Sequence, residues 1–270
     1  MKTSLLCGAL ALTIGLLCQC SSPVGAAPQP TAISLAPADT AKVGQRIWQN
    51  ECGGTVAGLT SWNTNERFAS LGIGHFIWYP KGVPVTYEES FPRLIAYLTS
   101  KGKTPPTGIT PTSSCPWPNR RAFLADAQSP RMTALREYLK NTVPEQTEFV
   151  ILRLQGALPK MLKSAGPSGS RVQRQFDTLS KTPNGLYALI DYVNFKGEGT
   201  NPKERYQGQG WGLLQVLESM QGQPQGQAAV KEFAEAAKRV LGRRIQLAPK
   251  KETQWRAGWF KRCDSYAQPW

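Results

Sequence analysis

The sequence predicts a mainly α-helical (α+β) domain that has a helical core and a small β-hairpin lobe. Apolar residues in most segments after residue 86 recur three or four positions apart, which is the spacing of a helix face. The segment from Gly185 to Phe195 is apolar on most faces, so we expect a central buried helix there. Strand-forming residues flank the turn-like segment 63–66, which predicts a hairpin near residues 59–77.

One glutamate precedes this hairpin at the end of a predicted helix. Asp39 can cap the helix at its N-terminus, and Gly53 and Gly54 end it, so that Glu51 falls on its last turn. A carboxylic acid that stays protonated because apolar side chains such as Trp48 surround it is suited to general acid catalysis. Glu51 is therefore the first candidate catalytic residue.

The order of these features resembles the catalytic core of phage T4-type lysozymes. That family also has a helix-terminal Glu, a hairpin and a Ser/Thr-x-Gly-Ile-Gly-His segment, matched here by Ser70-Leu71-Gly72-Ile73-Gly74-His75. The likeness covers residues 39–80 and 183–262, whereas residues 81–182 match less well and look like an insertion. It implies a lysozyme-like fold, a peptidoglycan glycan strand as substrate, and Glu51 as the general acid.

The second catalytic group is less clear from the sequence. Asn63 falls near the position where T4-type lysozymes carry a second carboxylate, although glycoside hydrolysis normally uses two. Glu66 is a substitute three residues later, and Ser70 can hold the attacking water. We therefore expect Ser70, Glu66 and Asn63 to be auxiliary residues, Trp62 to contact the substrate, and His75 to hold the turn in a structural role.

A second motif competes for the chemistry. Glu198, followed by Gly210-Trp211-Gly212-Leu213-Leu214-Gln215, resembles the Glu…Gly-Leu-Met-Gln signature of family 23 lytic transglycosylases, with Leu214 in place of the Met. We interpret Glu198 as a structural carboxylate or a substrate-binding one. The two motifs leave three functions open: a lysozyme-like glycosidase, a lytic transglycosylase, which can act with one Glu, and a non-catalytic wall-binding protein.

The N-terminal residues predict export. Residues 1–20 contain Lys2 and then an apolar run, as a secretory signal does. Cleavage after Ala26 or Ala27 is one interpretation, and lipid attachment at Cys20 is the other. Residues 21–38 then form a flexible tether to a single domain over residues 39–266. This organisation predicts a periplasmic or outer-membrane protein rather than one released to the medium.

Charge and cysteine content limit the partners. The formal charge of +14 favours a polyanion, and for an exported protein we expect peptidoglycan or another anionic cell-wall polymer, with no nucleic acid. Cys52, Cys115 and Cys263 follow the leader, and this odd set predicts one disulfide and one free thiol, with the pairing open. The single histidine excludes Cys/His metal spacings and argues against Ser-His-Asp hydrolases. We expect no metal, no cofactor and a monomer.

Overall fold

The computed structural model describes Ile33 and residues 35–268. The predicted signal, the anchor at Cys20 and the tether up to residue 32 lie outside these residues. The described chain is mainly helical with a small antiparallel sheet, which confirms the predicted mainly-α class. Within the described range, none of the helices is long and apolar enough to cross a membrane.

The helices and strands follow one another in a simple order along the chain. The helices are α1 (Pro37–Cys52), α2 (Phe91–Ser100), α3 (Arg120–Ala125), α4 (Pro130–Asn141), α5 (Val143–Ala165), α6 (Gly169–Ser180), α7 (Pro183–Lys196), α8 (Leu213–Ser219), α9 (Gly226–Leu247) and α10 (Arg256–Tyr266). A three-stranded sheet consists of β1 (Thr60–Ser61), β2 (Ala69–Leu71) and β3 (Phe76–Trp78), and a two-stranded one of β4 (Arg205–Tyr206) and β5 (Gln209–Gly210).

Helix α7 lies at the centre of the core, as its apolar sequence predicts. It packs against α1, α5, α6 and α9, and residues 185–192 are all buried. The Thr182 side chain caps it by accepting a hydrogen bond from the Gly185 N–H at 3.1 Å. Full burial of each Leu or Ile contributes about 1.5–3 kcal/mol to folding, so α7 is the main apolar support of the domain.

The predicted hairpin is a three-stranded antiparallel sheet with β2 in the middle. Ser70 pairs with Ser61 on β1 and with Ile77 on β3. The turn between β2 and β3 is held by Gln146 of α5, whose Oε1 accepts a hydrogen bond from the Ile73 N–H at 3.0 Å. Gln146 is fully buried, so the sheet is anchored on the helical core through this amide.

Residues 81–182 are part of the same core. Helix α5 packs against α1, α6 and α7, and α2 packs against β3 and α5. The Pro-rich loop 101–119 is fixed to β3 because the Trp78 indole donates to the Ser113 carbonyl at 2.9 Å. The sequence did not predict α3. Pro159 lies inside α5, which continues to Ala165.

Two local predictions are corrected by the structure. Asp39 is not the N-cap of α1; it lies in the first turn and pairs with Lys42 at 3.2 Å, while Ala36 is the cap residue and provides no side-chain bond. The predicted disulfide is also wrong, because Cys52, Cys115 and Cys263 are all buried free thiols. The prediction from the number of cysteines failed because each sulfur atom is enclosed separately in the core and is not bonded to another sulfur.

We expect these three thiols to be unreactive in the native protein. Burial raises the pKa of Cys52, Cys115 and Cys263 to about 12 each, so the reactive thiolate is on the order of 10⁻⁴ of the total at pH 8 and grows only as the pH rises toward 12. A disulfide reagent should react slowly in buffer and quickly with all three in denaturant without reductant. Peptide mapping that finds any two of these cysteines joined would contradict this expectation and support the predicted disulfide.

Candidate active site

Helix α1 ends where the sequence predicts and places Glu51 on its last turn. Gly53 takes a left-handed conformation with φ 62°, and its N–H bonds to the Trp48 carbonyl. The Glu51 side chain is 18 % exposed and lines a cavity of about 350 Å³ together with His75. The carboxyl group is therefore accessible to a ligand while most of the side chain is enclosed.

Both oxygens of the Glu51 carboxyl group face side-chain nitrogen atoms. Arg262 of α10 donates from Nη2 to Oε1 at 2.8 Å. His75 Nδ1 lies 3.5 Å from Oε2. A guanidinium hydrogen bond to a carboxylate is short and charge-assisted, so Arg262 fixes the position of Glu51 at the cavity wall. The carboxyl group thus faces polar side chains and not the apolar ones that the sequence suggested.

Arg262 is itself held by Asp191, which is 3 % exposed on α7. The Arg262 Nε and Nη2 atoms donate to the two carboxylate oxygens of Asp191 at 2.8 and 2.7 Å. The Tyr266 and Tyr187 hydroxyls donate to the same carboxylate at 2.6 and 3.1 Å. Burial opposes the charge of Arg262, but the Asp191 hydrogen bonds and the charges of Asp191 and Glu51 raise its pKa. The guanidinium thus stays cationic.

His75 has a different environment from the one expected for a purely structural residue. Its backbone is left-handed, with φ 47°, and its N–H closes the turn by bonding to the Gly72 carbonyl at 3.3 Å. The ring is one-third exposed and faces the Glu51 carboxyl group. His75 is therefore a wall of the candidate site as well as a turn residue.

Three adjoining cavities form one cleft across this face of the domain. The hairpin compartment, of about 510 Å³, shares His75, Ile77 and Tyr87 with the central compartment that contains Glu51. The central compartment shares Glu88 and Arg153 with the far compartment, of about 410 Å³. We call these three adjoining compartments the cleft, and Glu51 lines the central one.

The auxiliary residues predicted from the hairpin lie in the hairpin compartment. Asn63, Glu66 and Ser70 line it, although Ser70 is 4 % exposed. Within the described chain, Oε2 of Glu66 is buried and has no hydrogen-bond partner. Trp62 is placed elsewhere: it is 5 % exposed and packs edge-on against Phe123, so its ring is in the core and not on the cleft surface.

Glu198 lies at the opposite end of the cleft. It lines the far compartment, and its carboxylate is 3.7 Å from Lys160 Nζ. Its loop packs tightly on α8, because a Cβ at Gly212 would lie 2.2 Å from the Gly199 nitrogen. The two motif glutamates, Glu51 and Glu198, are therefore on one cleft but in different compartments.

The sequence did not indicate four of the residues that shape this site. Arg262 is 211 positions from Glu51, and no local pattern connects the two. Tyr87, Glu88 and Arg153 belong to the segment that does not resemble the lysozymes, and Tyr87 is 63 % exposed where two compartments meet.

The described residues contain no group of His, Cys, Asp and Glu side chains that could hold a metal ion. Compared with family models, curated proteins and solved structures, the chain matches none. The Glu51 carboxyl group is a positioned group that can transfer a proton.

The Asp191–Arg262 pair can be tested by substitution. Asp191→Asn keeps the shape of the side chain but leaves the half-buried Arg262 without its main counter-charge. We expect it to lower the free energy of unfolding by about 3 kcal/mol, the low end for a buried pair because Arg262 is one-third exposed. Urea unfolding followed by circular dichroism measures the difference.

Asp264→Asn is the matched control, because Asp264 is on the same helix as Arg262 and pairs with Lys238 at the surface. It should change the unfolding free energy by less than about 0.5 kcal/mol. Equal effects of the two substitutions would show that the Asp191–Arg262 pair does not support the domain.

Proposed function

We propose that the protein cleaves the glycan strand of peptidoglycan, with Glu51 as the general acid. The observation that carries this proposal is the Glu51 carboxyl group on the wall of a long cleft, held by Arg262 and facing His75. A positioned carboxyl group beside an open groove is what the protonation of a glycosidic oxygen requires.

The first chemical step follows from this geometry. Glu51 gives its proton to the bridging oxygen between two sugars while the bond from that oxygen to the anomeric carbon breaks. The leaving sugar departs with a hydroxyl group, and Glu51 becomes a carboxylate. The Arg262 N–H at 2.8 Å then stabilises this new charge without any movement, because it is already fixed by Asp191.

The second group decides the type of reaction. In a hydrolase, Glu66 on the hairpin compartment is one candidate for activating water. Glu88 is the other carboxylate on the central compartment, and it forms ion pairs with Arg93 and Arg153. Ser70 and Asn63 would position water or the sugar from the hairpin compartment.

A lytic transglycosylase is the second candidate. It is favoured by the ion pairs of Glu88 with Arg93 and Arg153, because they engage the second carboxylate of the central compartment. In that reaction the C6 hydroxyl of the sugar is the nucleophile, so no second carboxylate is required. Mass spectrometry of the products separates the candidates, because a transglycosylase leaves a 1,6-anhydro end and a hydrolase a reducing end.

The proposal extends to the setting of the enzyme. A lysozyme-like fold is supported by the helix-terminal Glu51, the sheet that follows it and the Gly72–His75 turn. An exported monomer that acts on the anionic wall is supported by the sequence of residues 1–20 and the charge of +14. Absence of any cleaved product would favour the non-catalytic wall-binding protein instead.

We expect Glu51→Gln to lower the cleavage of purified peptidoglycan by roughly 100-fold or more, the usual contribution of a general acid. Gln keeps a hydrogen-bond acceptor for Arg262 but has no transferable proton, so the melting temperature should change little. Glu198→Gln is the matched control, because it makes the same change in the far compartment and should leave most of the activity. An active Glu51→Gln beside a folded but inactive Glu198→Gln would transfer the chemistry to the second motif.

A further inference from the structure

The far half of the cleft is lined by one face of α5. Arg153, Gly156 and Lys160 follow at helical spacing and all line the far compartment. Arg153 also lines the central compartment with Glu51. Its position is therefore at the junction between the proposed reaction centre and the rest of the groove.

The guanidinium of Arg153 is poorly compensated. Its nearest carboxylate oxygen belongs to Glu88, at 3.9 Å, and Glu88 pairs more closely with Arg93. Among the described residues, no hydrogen bond from the Arg153 side chain is formed. Burial and the charge of Arg93 lower the pKa of Arg153, and the charge of Glu198 opposes this shift only in part. A planar group with five N–H donors is thus left with its hydrogen-bonding capacity unused beside an open cavity.

Gly156 leaves open space on the same face of α5. It lies in the interior of the 23-residue helix α5, where glycine disfavours the helix relative to alanine. Nothing lies within 4 Å of the position that its Cβ would occupy, so packing within the protein does not require glycine. Its effect is to keep the groove open between Arg153 and Lys160, one turn apart on either side.

We propose that this face of α5 is a subsite for a carboxylate on the substrate, with Arg153 as its principal ligand-binding residue and Arg93 and Lys160 as supporting charges. The inference rests on the proposed function and specifies its substrate: a glycan strand that carries an acidic substituent beside the bond to be cut. A carboxylate matches the guanidinium fork in charge and in bidentate geometry. The acid belongs either to the lactyl group of the sugar or to the peptide attached to it.

Binding measurements in the Glu51→Gln background test the subsite without turnover. The probes are a peptide-free tetrasaccharide of alternating N-acetylglucosamine and N-acetylmuramic acid, the same tetrasaccharide with peptides, and neutral chitotetraose. Arg153→Gln should weaken an acidic probe about tenfold or more, because a hydrogen-bonded charge pair is lost, and should change chitotetraose less than about twofold. A loss confined to the peptide-free probe assigns the lactyl carboxylate, and one confined to the peptide-bearing probe assigns the peptide.

Three further variants separate a local contact from general charge. Arg174→Gln removes the same charge from an exposed position on α6 away from the cleft and should leave all affinities unchanged. Glu88→Gln removes the carboxylate that competes for Arg153 and should strengthen acidic probes. Gly156→Leu fills the groove without disfavouring the helix, and it should weaken acidic probes while the melting temperature holds or rises.

The subsite is overturned if Arg153→Gln leaves the affinity for both acidic probes unchanged, or if it weakens chitotetraose equally. This outcome differs from a failure of the proposed function. If the protein cuts glycan strands and Arg153→Gln does not change that cleavage, the subsite alone is ruled out. If acidic probes bind through Arg153 but the wild-type protein cuts no strand, the subsite is supported and the catalytic role of Glu51 is ruled out.

Discussion

The Arg262–Asp191 ion pair is the interaction on which the candidate site depends. Asp191 is on the central helix α7, Arg262 is on the last helix α10, and the guanidinium reaches Glu51 on the first helix α1. One buried carboxylate therefore fixes the direction of an arginine, and that arginine fixes the proposed acid. Because two tyrosine hydroxyls also donate to Asp191, the charge in the core is fully hydrogen-bonded and not merely buried.

The sequence predicts the fold class and the end of the Glu51 helix because those features depend on local patterns. Apolar periodicity indicates α7, and the Gly53-Gly54 pair ends α1 as expected. The sequence does not predict Arg262 as the partner of Glu51, because the pairing depends on how distant helices pack. It also placed the ring of Trp62 in the substrate site, whereas the packing against Phe123 places it in the core. Residue type alone does not distinguish an aromatic platform from a core residue.

The segment that resembles the lysozymes least contributes half of the cleft. Helix α5 supports the Gly72–His75 turn through Gln146 on one face and presents Arg153 to the cleft on another. Residues 81–182 therefore form part of the cleft wall. On this account the catalytic carboxyl group comes from the matched segments and the recognition of an acidic substituent from the unmatched one.

The most direct test of the central claim is a crystal structure of the Glu51→Gln variant with the alternating, peptide-bearing tetrasaccharide. The account predicts that the glycan follows the cleft, with a bridging glycosidic oxygen within hydrogen-bond distance of residue 51 and with Arg262 still bound to Asp191. A strand whose bridging oxygen lies against Glu198 instead, or a glycan bound outside the cleft, would contradict the assignment of Glu51 as the acid.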